Sequence, residues 1–197
     1  MTIDKQLDIL YPILNSISLL SKENWELSKP YFKTKTLKKG EHLFYIDDEV
    51  NDFYFLIEGL ARYYYLTEDG KEFNKSFAEK QGHLLSSIAS VSHGIPSPFS
   101  VEVLSDFITL YIPYKKLLEL GVEHKQWNDL LLRIYENLVV KKERREADFL
   151  LLNARERYEK FLSDYSMIED AVPNYHIASY LGITDVALSR IRKEMKN

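Results

Sequence analysis

The chain has 197 residues, 45% of them hydrophobic and 28% charged, enough for a real core and unlike a disordered segment. It has no cysteine, which excludes disulfides, cysteine-ligated zinc and iron–sulfur clusters. The net charge of −4 argues against a wholesale nucleic-acid coat, no apolar run is long enough to span a bilayer, and residues 1–5 lack signal-peptide order, so a cytoplasmic protein is expected.

In chain order, residues 3 to about 32 read as short helices. Ile3, Leu7, Leu10 and Leu14 repeat at helical spacing around Pro12, and Ser21 is placed to cap a second segment. From residue 33 the texture changes to short β-type runs at 43–46, 53–57, 61–66, 72–77 and 101–112, rich in aromatic and β-branched residues. Turn pairs separate them, Asp69-Gly70 most clearly, and the spacing predicts one antiparallel β-sandwich or barrel over 33 to about 113.

Pro113 then opens a short helix, expected to close at Gly121. Neither Gly nor Pro occurs between Gly121 and Pro173, so helix is the default there. Trp127, Leu131, Ile134 and Leu138 follow the 4-3-4 spacing of a helix–helix seam. Asn153, with Glu156 three residues on, predicts a break and a new helix start.

The last segment is the most informative. Ile177, Ala178 and Leu181 share one helical face, and Leu188, Ile191 and Met195 share another. Gly182 suits the left-handed position that ends the first helix, and Thr184 suits the cap of the second. Asp185, Val186, Ser189, Arg190 and Lys193 fall on the outer face, as in a helix-turn-helix that reads DNA. Residues 188–197 carry Arg190, Arg192, Lys193 and Lys196 against Glu194, a basic tip on an acidic body.

This order of a β unit, a long helix and a helix-turn-helix resembles the cyclic-AMP receptor protein/Fnr family of bacterial transcription factors. Four anchors carry the resemblance: Leu37-Lys-Lys-Gly-Glu41, Phe55-Leu-Ile-Glu-Gly59, Thr67-Glu-Asp-Gly-Lys-Glu72, and the run from Ile177 to Thr184 with Leu188 to Arg192. The resemblance implies an α+β fold in three parts. A cyclic-nucleotide-binding-like jelly roll spans 1–121, a dimerisation helix 122–152 and a DNA-binding helix-turn-helix 153–197. It implies a homodimer joined through Trp127, Leu131, Ile134 and Leu138, with promoter DNA and RNA polymerase as partners. Thr184, Asp185, Val186, Ser189, Arg190 and Lys193 are then the DNA-facing residues, and the protein is not an enzyme. The rival reading is a sensing module that signals to a protein partner without binding DNA.

Two departures from the family pattern stand out. Where members that bind cyclic nucleotides carry a Glu for the ribose and an Arg for the phosphate, Ser87 and Ser97 or a neighbour stand here. Residues 81–114 contain no Arg or Lys, so a buried cyclic phosphate lacks its counter-charge in that stretch and binding of cyclic AMP in the family's manner is not expected. Ser86, Ser87 and Ser97 with Tyr63 and Tyr65 are the candidate lining of a pocket for an unknown small-molecule effector, if there is one. The same serines fit a filled jelly-roll core. His83 and His93 read as solvated loop residues, and neither a metal nor an iron–sulfur cluster is expected. The second departure is at the end: four residues follow Lys193, so the β-wing that follows the family's recognition helix is expected to be absent.

Overall fold

The computed structural model describes residues 1–165 and 168–196. Helix α1 (Ile3–Ile17) buries Leu7, Leu10 and Leu14, and α2 (Lys22–Ser28) starts where the Ser21 hydroxyl accepts from the Asn24 N–H at 3.3 Å. A single 3₁₀ turn at Lys29–Tyr31 leads into the β unit.

Eight strands follow: β1 (Lys33–Leu37), β2 (His42–Phe44), β3 (Asp52–Glu58), β4 (Ala61–Leu66), β5 (Glu72–Ala78), β6 (Leu84–Leu85), β7 (Ser100–Val103) and β8 (Phe107–Pro113). They form two antiparallel sheets ordered β1-β8-β3-β6 and β2-β7-β4-β5, a jelly roll. The Asp69-Gly70 turn joins β4 to β5, with Gly70 at φ 80° and its N–H donated to the Thr67 carbonyl at 2.9 Å. Between the sheets lie Leu56, Ala61, Ala78, Leu85, Val101, Val103 and Phe107. Helix α3 (Ile88–His93) sits in the connection from β6 to β7 and ends at Gly94.

The remaining helices are α4 (Tyr114–Glu123), α5 (Lys125–Leu151), α6 (Ala154–Asp164), α7 (Asn174–Leu181) and α8 (Asp185–Lys196). At 27 residues, α5 is about 40 Å long. It ends before Asn153, whose side chain accepts from the Glu156 N–H while the Glu156 carboxylate accepts from the Asn153 N–H, a capping box.

Three expectations change. Strand β1 (Lys-Thr-Lys-Thr-Leu) escapes hydrophobic patterning because it is a half-solvated edge strand. The run expected as one strand over 101–112 is two, divided at Leu104 to Asp106. Helix α4 continues through Gly121 to Glu123, so the roll and the long helix meet at His124 rather than at 121–122.

Candidate nucleic-acid interface and effector cleft

Helices α7 and α8 meet at Gly182, which holds the left-handed conformation (φ 69°, ψ 35°). Any side chain there is strained, and a Cβ would lie 2.8 Å from the Phe149 ring of α5. Thr184 caps α8: its hydroxyl accepts from the Ala187 N–H at 3.2 Å. Leu188 and Ile191 are buried against α7, whereas Thr184, Asp185, Val186, Ser189, Arg190 and Lys193 are all exposed on the outer side. Val186, a β-branched apolar residue, is 80% exposed. Arg192 turns inward. It donates to the Tyr158 hydroxyl at 2.9 Å and to the Asn174 side chain at 2.5 Å, and pairs with Glu169 at 3.2 Å.

Two arginines fasten the helix pair to the long helix. Arg145 of α5 donates to the Tyr180 carbonyl and lies 3.9 Å from the Tyr180 ring. Arg157 of α6 donates to the carbonyls of Leu181 and Leu152 at 3.1 and 2.8 Å, satisfying acceptors at the ends of α7 and α5.

The same helix pair is docked on the jelly roll through a buried polar network. Arg62 of β4 is 4% exposed, pairs with Glu72 and Glu102 at 2.5 Å each, and donates to the Asn74 side-chain amide oxygen (Oδ1) at 2.9 Å. Asn74 in turn lies 2.8 Å from the His176 carbonyl and 3.1 Å from its ring Nδ1. Burial, with the Arg62 charge beside it, pushes the His176 imidazole down to about 4, so it is neutral near pH 7 and Nδ1 is free to accept. β5 is an edge strand, and α7 lies on it. The Asn74 N–H donates to the Ser179 hydroxyl at 2.9 Å, and that hydroxyl donates to the Glu72 carbonyl at 3.2 Å. Beneath these bonds Phe77 of β5 meets Phe161, Tyr165 and Tyr180 at ring-centroid distances of 5.6–6.2 Å.

A cleft of about 1130 Å³ opens between the roll, α5 and the α6–α7 helices. Tyr63, Tyr65, Ser86 and Ser87 line it; Ser97 does not. The Ser97 hydroxyl, fully buried, is spent on the Phe99 carbonyl at 2.8 Å, which removes it from the candidate lining. Ser86 donates to the Asp52 carbonyl at 2.9 Å and Tyr63 to the Leu84 carbonyl at 2.9 Å. The Ser87 hydroxyl is buried with no hydrogen-bond partner among the described residues. His83 is not a solvated loop residue: it lines the cleft near the Tyr63 ring, and burial, with Lys141 and Lys80 nearby, pushes it down to about 3. His93 is exposed.

The cleft also holds the cations that residues 81–114 lack. Its walls carry seven cations (Lys75, Lys80, Lys141, Lys142, Arg144, Arg145, Lys160) against four acids (Glu79, Glu146, Asp148, Asp164), a net +3 in a chain of net −4. None of the seven lies within 81–114, so inspecting that stretch alone could not find them. Their signal in the sequence was an isolated lysine in β5 and a basic run that reads as solvated helix.

The four residues expected to form the dimer seam face inward. Trp127, Leu131 and Ile134 are buried within the chain against α1, α2 and the roll, and Leu138 packs on the same core. Trp127 stacks on Trp25 at 6.4 Å and donates to the Asn24 carbonyl at 3.2 Å. These residues therefore anchor α5 internally, and their 4-3-4 spacing reports the helix face that meets its own domain. On the opposite face Leu132, Val139, Val140, Leu150 and Leu151 are 43–80% exposed.

Among the described residues no helix is long and apolar enough to cross a membrane, and no cluster of His, Asp and Glu is arranged to hold a metal. Residues 34–124 match the family model of the cyclic nucleotide-binding domain. No curated protein matches the chain in sequence. Among solved structures, FixK2 from Bradyrhizobium japonicum is similar over 84% of each chain (TM-score 0.70, 19% identity). The c-di-GMP responsive global regulator CLP of Xanthomonas campestris is similar over 89% of this chain and 92% of its own (TM-score 0.70, 15% identity). A CooA mutant from Carboxydothermus hydrogenoformans is similar over 95% of this chain and 84% of its own (TM-score 0.69, 20% identity). By sequence, then, residues 34–124 match a cyclic nucleotide-binding domain, and by fold the chain is similar to these proteins over most of its length.

Proposed function

We propose that the protein is a sequence-specific DNA-binding transcription regulator, with α8 as its recognition helix. The observation that carries this is the division of α8: a buried Leu188–Ile191 side, and an outer side on which Asp185, Val186, Ser189, Arg190 and Lys193 are all exposed around a capped N-terminus. Such a helix presents its first turn to a major groove, where Arg190 suits a guanine edge, Val186 a thymine methyl and Asp185 a cytosine amine. The fold shared with the global regulator CLP supports the same reading. Promoter DNA and RNA polymerase are the partners it implies, and a small effector in the cleft is the signal.

Reading a palindrome requires a two-fold partner. We place the homodimer contact on the outer face of α5. Val140, Ala147 and Leu151 are spaced by seven and four, the spacing of a two-helix seam, and Leu132 and Val139 flank them on the same exposed face opposite the buried one.

Fluorescence-anisotropy titration of promoter fragments at two salt concentrations tests the reading. Arg190→Ala is expected to cost about 1–3 kcal/mol on the cognate site and to relax preference at one base position. Lys193→Ala is expected to weaken all sequences alike and to lower the salt slope by about 1. Equal losses on cognate and scrambled DNA for Arg190→Ala demote that residue to a phosphate contact. No salt-dependent binding to any fragment leaves the signalling-module reading in its place.

A further inference from the structure

Lys75 is the odd residue of the cleft. It stands on β5 among aromatic rings, its Nζ 3.7 Å from the Phe99 ring centroid and 5.7 and 5.9 Å from those of Tyr63 and Tyr65. An ammonium has three donors, yet among the described residues no oxygen accepts from it and no carboxylate pairs with it within 4 Å. The rings offer cation–π attraction only. The other charges that act on it are also positive: burial, then Lys142 and Lys141 of α5, push it down to about 8. Lys141 likewise acts on His83. The cleft therefore holds an under-neutralised positive field beside an unpartnered, buried Ser87 hydroxyl and an apolar wall of Phe99 and Leu138.

We propose that this cleft takes a small organic anion, its carboxylate or phosphate on Lys75 within the field of Lys141 and Lys142, its apolar body against Phe99 and Leu138, and a polar atom on Ser87. The proposal rests on the reading of the cleft as an effector site and names the ligand class for it. The anion's counter-charge comes from a β5 lysine and the long helix instead of from the connection between β6 and β7. Because the ligand touches α5, which Arg145 ties to Tyr180 of α7, occupancy is felt at the helix pair.

The test is isothermal titration calorimetry on the full chain without DNA, using phenylacetate, phenyl phosphate and the neutral phenylacetamide. Either anion is expected to bind at least about tenfold more tightly than the amide, and which one does so identifies the headgroup. Lys75→Met should lose that preference, and Lys75→Arg should retain it. Since a bound anion holds Lys75 protonated, affinity should fall about tenfold from pH 7 to pH 9 in the native protein and not in Lys75→Met. The charged groups facing Lys75 from the neighbouring elements are Lys141 and Lys142 of α5 with Glu79, Lys80 and His83 after β5, and burial holds the His83 imidazole neutral across this window. Cyclic AMP serves as a further probe: binding that Lys75→Met abolishes counts for the proposal, and binding it leaves intact counts against. Equal affinity for amide and anions, undiminished anion binding by Lys75→Met, or no anion binding at 10 mM overturns it. Removing a desolvated charge should leave the melting temperature of Lys75→Met unchanged or higher, so a folding defect is recognisable. A chain that binds the anion but no DNA fails the regulator reading only.

Discussion

Arg62→Met is expected to lower the unfolding free energy by about 3–5 kcal/mol, the loss seen when one partner of a buried ion pair is removed. The cause lies in what remains. The Glu102 side chain, 19% exposed, loses its ion pair, and Asn74 loses the donor that orients it. Glu72, 40% exposed, recovers water and contributes little. Urea denaturation measures the loss, and Arg62→Met with Glu102→Gln should recover part of it. Because Asn74 in turn holds His176, hydrogen exchange in α7 should rise in the single variant. The same interface sets an acid limit. The unfolded imidazole of His176 takes its proton near 6.5, whereas the buried one resists until about 4. The unfolded state thus binds more protons in that window, and stability falls as pH drops through it.

Ile134→Glu should unfold the chain, and Leu150→Glu with Leu151→Glu should leave it folded but monomeric. The first places a carboxylate where Ile134 is 7% exposed within the core of α1, α2 and the roll, at a cost of about 4 kcal/mol or more. The second places charges where the side chains are already 74% and 80% exposed, at almost no cost to the fold. Thermal melts and sedimentation on both variants separate an internal anchor from a subunit contact. A folded monomer from Ile134→Glu returns the seam to the buried face.

The jelly roll and the terminal helix pair were legible because local chemistry dictates them. Gly70 in its turn, Asn153 with Glu156, Ser21, and Gly182 followed by Thr184 each act within a few residues of themselves, and each holds the geometry its neighbours require. What was not legible depends on residues far apart in the chain. The spacing of Trp127, Leu131 and Ile134 shows that α5 has an apolar face and is silent on whether that face meets its own domain or a second subunit. Ser97 has the hydroxyl an effector needs, but only the fold shows that Phe99 uses it. Lys75 and Lys141 are 66 residues apart and converge only because α5 crosses the open side of the roll. Arg62, in a strand of aromatics, looks like a surface residue until Glu72, Glu102 and Asn74 close around it.

The seat of α7 on β5 has a consequence for handling the protein and for its evolution. An unpaired strand edge is a template on which a second chain can grow a sheet. Here Ser179 occupies backbone groups of that edge, and the Phe77 cluster covers the rings beneath it. The helix pair is thus a guard against self-association. Removing it bares sticky backbone and the buried Phe77 ring at once, so an isolated sensor half should aggregate where the full chain stays dispersed. A lineage that discards the helix pair must first find another cover for β5.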